Sequence, residues 1–184
     1  MYIADRDLSG VVNACLARDV NPLWFQGKVY RCGVIPYIVL KGKVYFCMGR
    51  DSKSQDITDF GGGLSMKRDK TPIRAAVREL KEESLNIFKR TSKDVMSCLC
   101  VYNNSSLIVF VNVGYSSYNM SVKKFKLSYK NLNESECEMD NIIWLDVDQL
   151  NTYIQENKIY TLTSDLIKNK LEHISSILVG RKII

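Results

Sequence analysis

The order of its predicted elements puts this chain in the α/β class, and three stretches carry that expectation. Residues 28–40 and 43–48 are β-rich and form a hairpin around Lys41-Gly42. Residues 61–87 read as a glycine turn running into an amphipathic helix, and two further helices are expected over 147–156 and 164–179. The 184 residues suit one domain over 1–184, with a helical extension over 1–27 and a C-terminal helix within 157–184. A composition of 46% hydrophobic and 25% charged residues is that of a soluble globular protein. No uninterrupted run approaches the ~20 apolar residues a membrane crossing needs, and MYIADRDLSG carries charges where a secretion signal needs an apolar stretch. The expectation is a soluble, cytoplasmic chain, monomeric or homodimeric, with no membrane partner. A formal charge of +6 favours an anionic partner without choosing one.

Taken in order, residues 7–18 suggest a short helix with Leu8, Val11, Val12 and Leu16 on one side, ended by Asn21-Pro22. Trp24 and Phe25 follow; such a pair packs on a sheet or offers a ring to a base. The hairpin's second strand ends at Gly49-Arg50-Asp51, and residues 51–58 form a polar loop. After the central helix, residues 94–102 and 107–113 read as strands joined through Asn103-Asn104-Ser105-Ser106. In residues 115–130, Lys123, Lys124, Lys126 and Lys130 interleave with Tyr118, Phe125 and Tyr129. The pattern fits a strand with its lysines toward water; it also fits a surface that tracks a nucleic-acid backbone and stacks a base. The six cysteines show no CxxC pairing and His173 stands alone, so buried, reduced thiols are expected.

The central stretch, GGGLSMKRDKTPIRAAVRELKEESLNI, has a well-marked helix start, because Thr71 suits a cap and Pro72 the first turn. On a wheel of about 100° per residue, Glu82 and Glu83 fall at about −60° and +40° from Glu79, with small Ala75 between them. Ile73, Ala76, Val77, Leu80 and Ile87 share a second arc that can face a core. Three carboxylates on one arc repel one another unless a cation lies between them. Hard oxygen ligands suit Mg²⁺ or Mn²⁺. A plain solvated helix face is the competing account.

The glycines and the run Arg78-Glu79-Leu80-Lys81-Glu82-Glu83 resemble the Nudix box, and the chain is identified with that family on these residues. The box departs from the pattern twice. Its acid falls on Asp69 counted from Gly63 and on Lys70 counted from Arg78; Leu85 stands where a glycine is usual, with Asn86-Ile87 as a substitute end. That ending is also similar to the one in poxvirus decapping enzymes. The run from Glu138 through Trp144 to Leu150 resembles the family's late segment, an acidic loop before a strand ending in Trp.

The resemblance implies an α/β/α sandwich with a mixed β-sheet and hydrolysis of a diphosphate linkage in a nucleoside diphosphate derivative. It implies Mg²⁺ or Mn²⁺ held by Glu79, Glu82 and Glu83 with a carbonyl of Gly62 or Gly63, and Arg78 as the residue that orients them. Glu79 or Glu138 is the expected base, with Glu134 and Glu136 as rivals of Glu138. Arg50 resembles a phosphate-contacting residue and also suits a surface ion pair; Lys123, Lys124 and Lys126 are candidates for substrate binding. Capped RNA, small dinucleotides, nucleotide sugars and diphosphoinositol phosphates are the candidate substrates. A non-catalytic nucleotide- or RNA-binding module is the rival from another class.

Overall fold

The computed structural model describes residues 13–20, 30–132 and 137–180. One mixed sheet runs in the order β1 (Asn13–Leu16), β6 (Leu99–Tyr102), β7 (Ser106–Asn112), β2 (Arg31–Leu40), β3 (Lys43–Asp51), β4 (Ile57–Thr58). β5 (Phe60–Gly63) pairs with β2, and β8 (Met139–Asp146) with β3. The β2–β7 pair is parallel and the other strand pairs are antiparallel.

Central strands buried on both faces need helices on both. Cys32, Val34 and Ile38 of β2 face one core together with Ile73, Ala76 and Leu80 of α1 (Pro72–Glu83) and Phe125 of α2 (Tyr115–Lys130). Ile35 and Tyr37, one residue out of phase, face a second core. There they meet Leu150 of α3 (Val147–Gln155), Leu166 of α4 (Thr161–Ile167), and Ile174 and Leu178 of α5 (Leu171–Gly180). The architecture is an α/β/α sandwich.

The hairpin follows the expected turn, with Lys41 and Gly42 at φ of 50° and 78°. Four expectations are corrected. Residues 13–16 are a strand, not the end of a helix, because β1 completes the sheet edge beside β6, Cys15 opposite Cys100; residues 1–12, 21–29, 133–136 and 181–184 lie outside the described residues, among them Trp24, Phe25, Glu134 and Glu136. Residues 115–130 are a helix rather than a strand. Tyr118, Val122, Phe125 and Tyr129 repeat at helical spacing against the first core, and Trp144 of β8 donates its indole N–H to Ser121 at 2.9 Å. The expected helix over 164–179 is two, α4 and α5, broken at Asn169 with φ of 60°. Strand β6 begins only at Leu99, so Cys98 precedes it.

Near its start β2 pairs with β5, and near its end with β3, so β3 and β5 diverge along the same side of β2. That divergence opens a cleft of about 560 Å³ in front of the glycines.

Candidate active site

The loop before α1 is short and tied. The Thr71 hydroxyl accepts from the Arg74 N–H at 3.3 Å, and Asp69 Oδ2 accepts from the Ser65 N–H at 2.9 Å. Asp69 is buried and faces Arg78, whereas exposed Lys70 has φ of 64° and turns the chain into the helix. The lengthened loop thus brings Asp69, not Lys70, to the helix.

Arg78 is the hub. Its Nε and Nη2 donate to the two Asp69 oxygens at 2.7 and 3.0 Å. Nη1 reaches Glu79 Oε1 at 2.5 Å and Glu82 Oε2 at 2.9 Å, and Nη2 also donates to the Gly63 carbonyl at 3.1 Å. The bidentate fork is what guanidinium geometry allows and an ammonium does not. Hydrogen bonding from Arg78 holds the Asp69 carboxyl below its ordinary range. Arg78 orients the acids and keeps no obvious donor for a substrate.

Glu79, Glu82, Glu83 and Glu138 all line one cavity. Burial raises the Glu79 carboxyl, with Arg78 opposing. Glu83 is 7% exposed, and its Oε2 has no hydrogen-bond partner. Desolvation, aided by nearby Asp59 and opposed by Arg31, pushes its carboxyl up to about 10. Glu82 and Glu138 are exposed, and Glu138 is placed through its own carbonyl, which accepts from the Ser52 N–H at 2.8 Å. Gly62 makes the close approach possible: a Cβ there would stand 2.6 Å from Glu79 Oε1.

An orphaned buried carboxylate oxygen, a desolvated second carboxylate and an exposed third form a hard, anionic donor set that fits Mg²⁺ or Mn²⁺. Among the described residues no three His, Cys, Asp or Glu side chains form a ready metal cage. Arg78 is ion-paired with both Glu79 and Glu82.

Other candidates lie elsewhere. Arg50 Nε donates to Asp140 Oδ1 at 2.7 Å, an ion pair with the arginine 40% exposed, and Arg50 lines neither the large cleft nor the glutamate cavity. Lys123, Lys124 and Lys126 are exposed along α2 and line neither the large cleft nor the glutamate cavity. None of the six cysteines is in a disulfide, and all but partly exposed Cys98 are buried.

Sequence reasoning missed a second polar cluster in the cleft wall. Arg31 Nη1 donates to both oxygens of fully buried Asp59, at 2.7 and 2.8 Å, and Nη2 to the Gly61 carbonyl at 2.8 Å. The Thr163 hydroxyl donates to Asp59 Oδ1 at 2.5 Å. Gly33 makes room, because any Cβ there would collide with Asp59 Oδ2. A lone arginine opening the apolar run RCGVIPYIVL, and an acid just before the glycines, were the available hints.

No protein-family model matches the chain, and no curated protein matches it by sequence. Among solved structures it is similar to a C. elegans Ap4A hydrolase in a binary complex, at 17% identity over 84% of this chain and 100% of that one, with a TM-score of 0.48. It is similar to the Nudix domain of Shewanella oneidensis NrtR complexed with ADP ribose, at 10% identity over 85% of this chain and 94% of that one, TM-score 0.48. A Nudix hydrolase from Nitrosomonas europaea is similar at 11% identity over 79% of this chain and 88% of that one, TM-score 0.44.

Proposed function

We propose that this chain is a Nudix pyrophosphohydrolase that cleaves a diphosphate linkage in a nucleoside diphosphate derivative. The observation that carries the proposal is the convergence of Glu79, Glu82, Glu83 and Glu138 on one cavity, with Arg78 and Asp69 fixing the first two. A non-catalytic module has no use for a buried, unpartnered Glu83 oxygen, which only costs stability.

Glu79, Glu82 and Glu83 would hold Mg²⁺ or Mn²⁺, which supplies positive charge to a polyanionic substrate and acidifies water. Arg78 keeps the carboxylates in place and Gly62 lets the backbone approach Glu79. In the reaction water oxygen bonds to one phosphorus, the bridging P–O bond breaks, and the second phosphate leaves. Either Glu79 or Glu138 takes the proton from that water.

Capped RNA is the substrate we favour. The supporting feature is α2, which carries Lys123, Lys124, Lys126 and Lys130 and no acidic residue. The test is hydrolysis of capped RNA against the isolated cap dinucleotide, Ap4A, ADP-ribose and an inositol pyrophosphate, with Mg²⁺ and with Mn²⁺. Hydrolysis of none would remove the enzyme reading. Equal catalytic efficiency on capped RNA and cap dinucleotide, with parallel salt dependence, would leave a small-nucleotide hydrolase.

A further inference from the structure

The glycine strand β5 is fastened at two carbonyls, by two arginines that are each anchored on an acid. Arg78, bonded to Asp69, donates Nη2 to the Gly63 carbonyl at 3.1 Å. Arg31, bonded to Asp59, donates Nη2 to the Gly61 carbonyl at 2.8 Å. Gly62, whose backbone approaches Glu79, stands between the two. We propose that Asp59 is a positioning residue for the hydrolytic site: acting through Arg31, it sets where the Gly62 backbone stands against Glu79. The inference rests on the hydrolase reading above and adds to it a residue that lines neither the cleft nor the glutamate cavity.

Room for the Asp59 carboxylate is made by a pair of glycines. Gly33 of β2 and Gly61 of β5 are cross-strand partners. A Cβ on Gly33 would collide with Asp59 Oδ2, and one on Gly61 would stand 2.6 Å from the same oxygen. The carboxylate is fully buried and well supplied with donors: Arg31 Nη1 reaches both oxygens, and the Thr163 hydroxyl reaches Oδ1 at 2.5 Å. Thr163 is buried too and belongs to α4, so the docking of that helix helps hold the acid. Arg31 has no slack either. Its Nη2 also donates to the Thr58 hydroxyl at 3.2 Å, and the Tyr160 ring lies 5.1 Å from its Cζ.

Stability alone does not account for this arrangement. A buried ion pair commonly gains no more than well-packed apolar side chains of the same volume, and glycines inside a strand weaken it. What the pair supplies and apolar packing does not is one fixed position, because a guanidinium donates at set angles. The position so fixed is that of the backbone beside Glu79. Misplacement of such a group by ~1 Å costs on the order of 100-fold in rate.

The test uses the full chain and two readouts: hydrogen exchange of residues 60–63 in EDTA, and Mn²⁺ affinity from the paramagnetic resonance of free Mn²⁺. Thr163→Val removes one bond to Asp59 at nearly constant volume, Thr163→Ser keeps it, and Asp59→Asn removes the charge. Ile174→Ala, in the second core, controls for lost stability. Thr163→Val and Asp59→Asn should each speed exchange over 60–63 and weaken Mn²⁺ binding by about tenfold or more. Thr163→Ser should match wild type, and Ile174→Ala should lower Tm with Mn²⁺ affinity unchanged. If Asp59→Asn does not fold, Thr163→Val carries the test. Unchanged exchange over 60–63 in Thr163→Val would overturn the positioning role. So would wild-type Mn²⁺ affinity in that variant, or an equal loss of affinity in Ile174→Ala. Wild type that binds no Mn²⁺, with exchange over 60–63 still governed by Thr163, would overturn the hydrolase reading alone.

Discussion

Arg78 and Asp69 form a two-point ion pair, Nε to Oδ1 at 2.7 Å and Nη2 to Oδ2 at 3.0 Å, that joins the basic loop to the helix bearing the glutamates. Through it an acid outside the glutamate arc fixes the arginine that bonds two of the arc's carboxylates. Asp69→Asn should cost about 2 kcal/mol in urea unfolding at neutral pH. In wild type that contribution is present above the ordinary carboxylate range and is lost as pH falls through the lowered value of folded Asp69. The gap between variant and wild type should therefore close in acid; a gap that persists unchanged at low pH contradicts the pairing.

Glu83 has the opposite sign. Its folded carboxyl is raised to about 10, so the metal-free folded state takes up a proton at neutral pH that the unfolded chain does not. The stability linked to that proton is fully present below the ordinary Glu value and drains as pH rises toward about 10. Glu83→Gln should raise Tm in EDTA, more at pH 9 than at pH 5, by roughly 2–4 °C per kcal/mol recovered. Mg²⁺ or Mn²⁺ should raise wild-type Tm and do so far less in the variant.

Turnover should fall by at least ~100-fold in Glu82→Gln and in Glu83→Gln, because each removes a charged ligand from the proposed cation site and so weakens the positive charge that would offset the developing anion. Circular dichroism should show both folded. Full activity under limiting Mg²⁺ in either variant removes that residue from the site.

Gly62→Ala should lower activity by about tenfold or more with the fold intact. Its Cβ would stand 2.6 Å from Glu79 Oε1, and relief requires moving the carboxylate that Arg78 positions. Gly63→Ala is the control, since nothing lies within 4 Å of a Cβ there.

Helix α1 ends in a Schellman arrangement: the Leu85 N–H donates to the Glu82 carbonyl at 3.1 Å and the Asn86 N–H to the Lys81 carbonyl at 2.9 Å. Both residues are left-handed, with φ of 52° and 62°. Exposed Asn86 is the cleaner probe. Asn86→Gly should be neutral or slightly stabilising, and Asn86→Val should cost on the order of 1–2 kcal/mol by chemical denaturation.

The sequence by itself determined the parts whose physics is local. The hairpin turn at Lys41-Gly42, the Thr71 cap with Pro72, and the single arc of Glu79, Glu82 and Glu83 all follow from neighbours within four residues. Asn86, expected as the substitute end of the box, is left-handed, although the helix-ending position itself belongs to Leu85, which the family pattern assigns to glycine. Tertiary structure decided everything that depends on partners far along the chain. Residues 13–16 pair with β6 against their helical pattern, and residues 115–130 take the helical period because Trp144 and the first core lie against them. Sequence alone could not choose between Asp69 and Lys70, because the choice rests on which one the folded loop turns toward Arg78. Arg31, Asp59, Tyr160 and Thr163 are separated by up to 132 positions, and only the pairing of β2 with β5 and the docking of Ile159 beside Ile57 bring them into one wall. A charge that is buried only when its counterion arrives from another element leaves no local pattern to read.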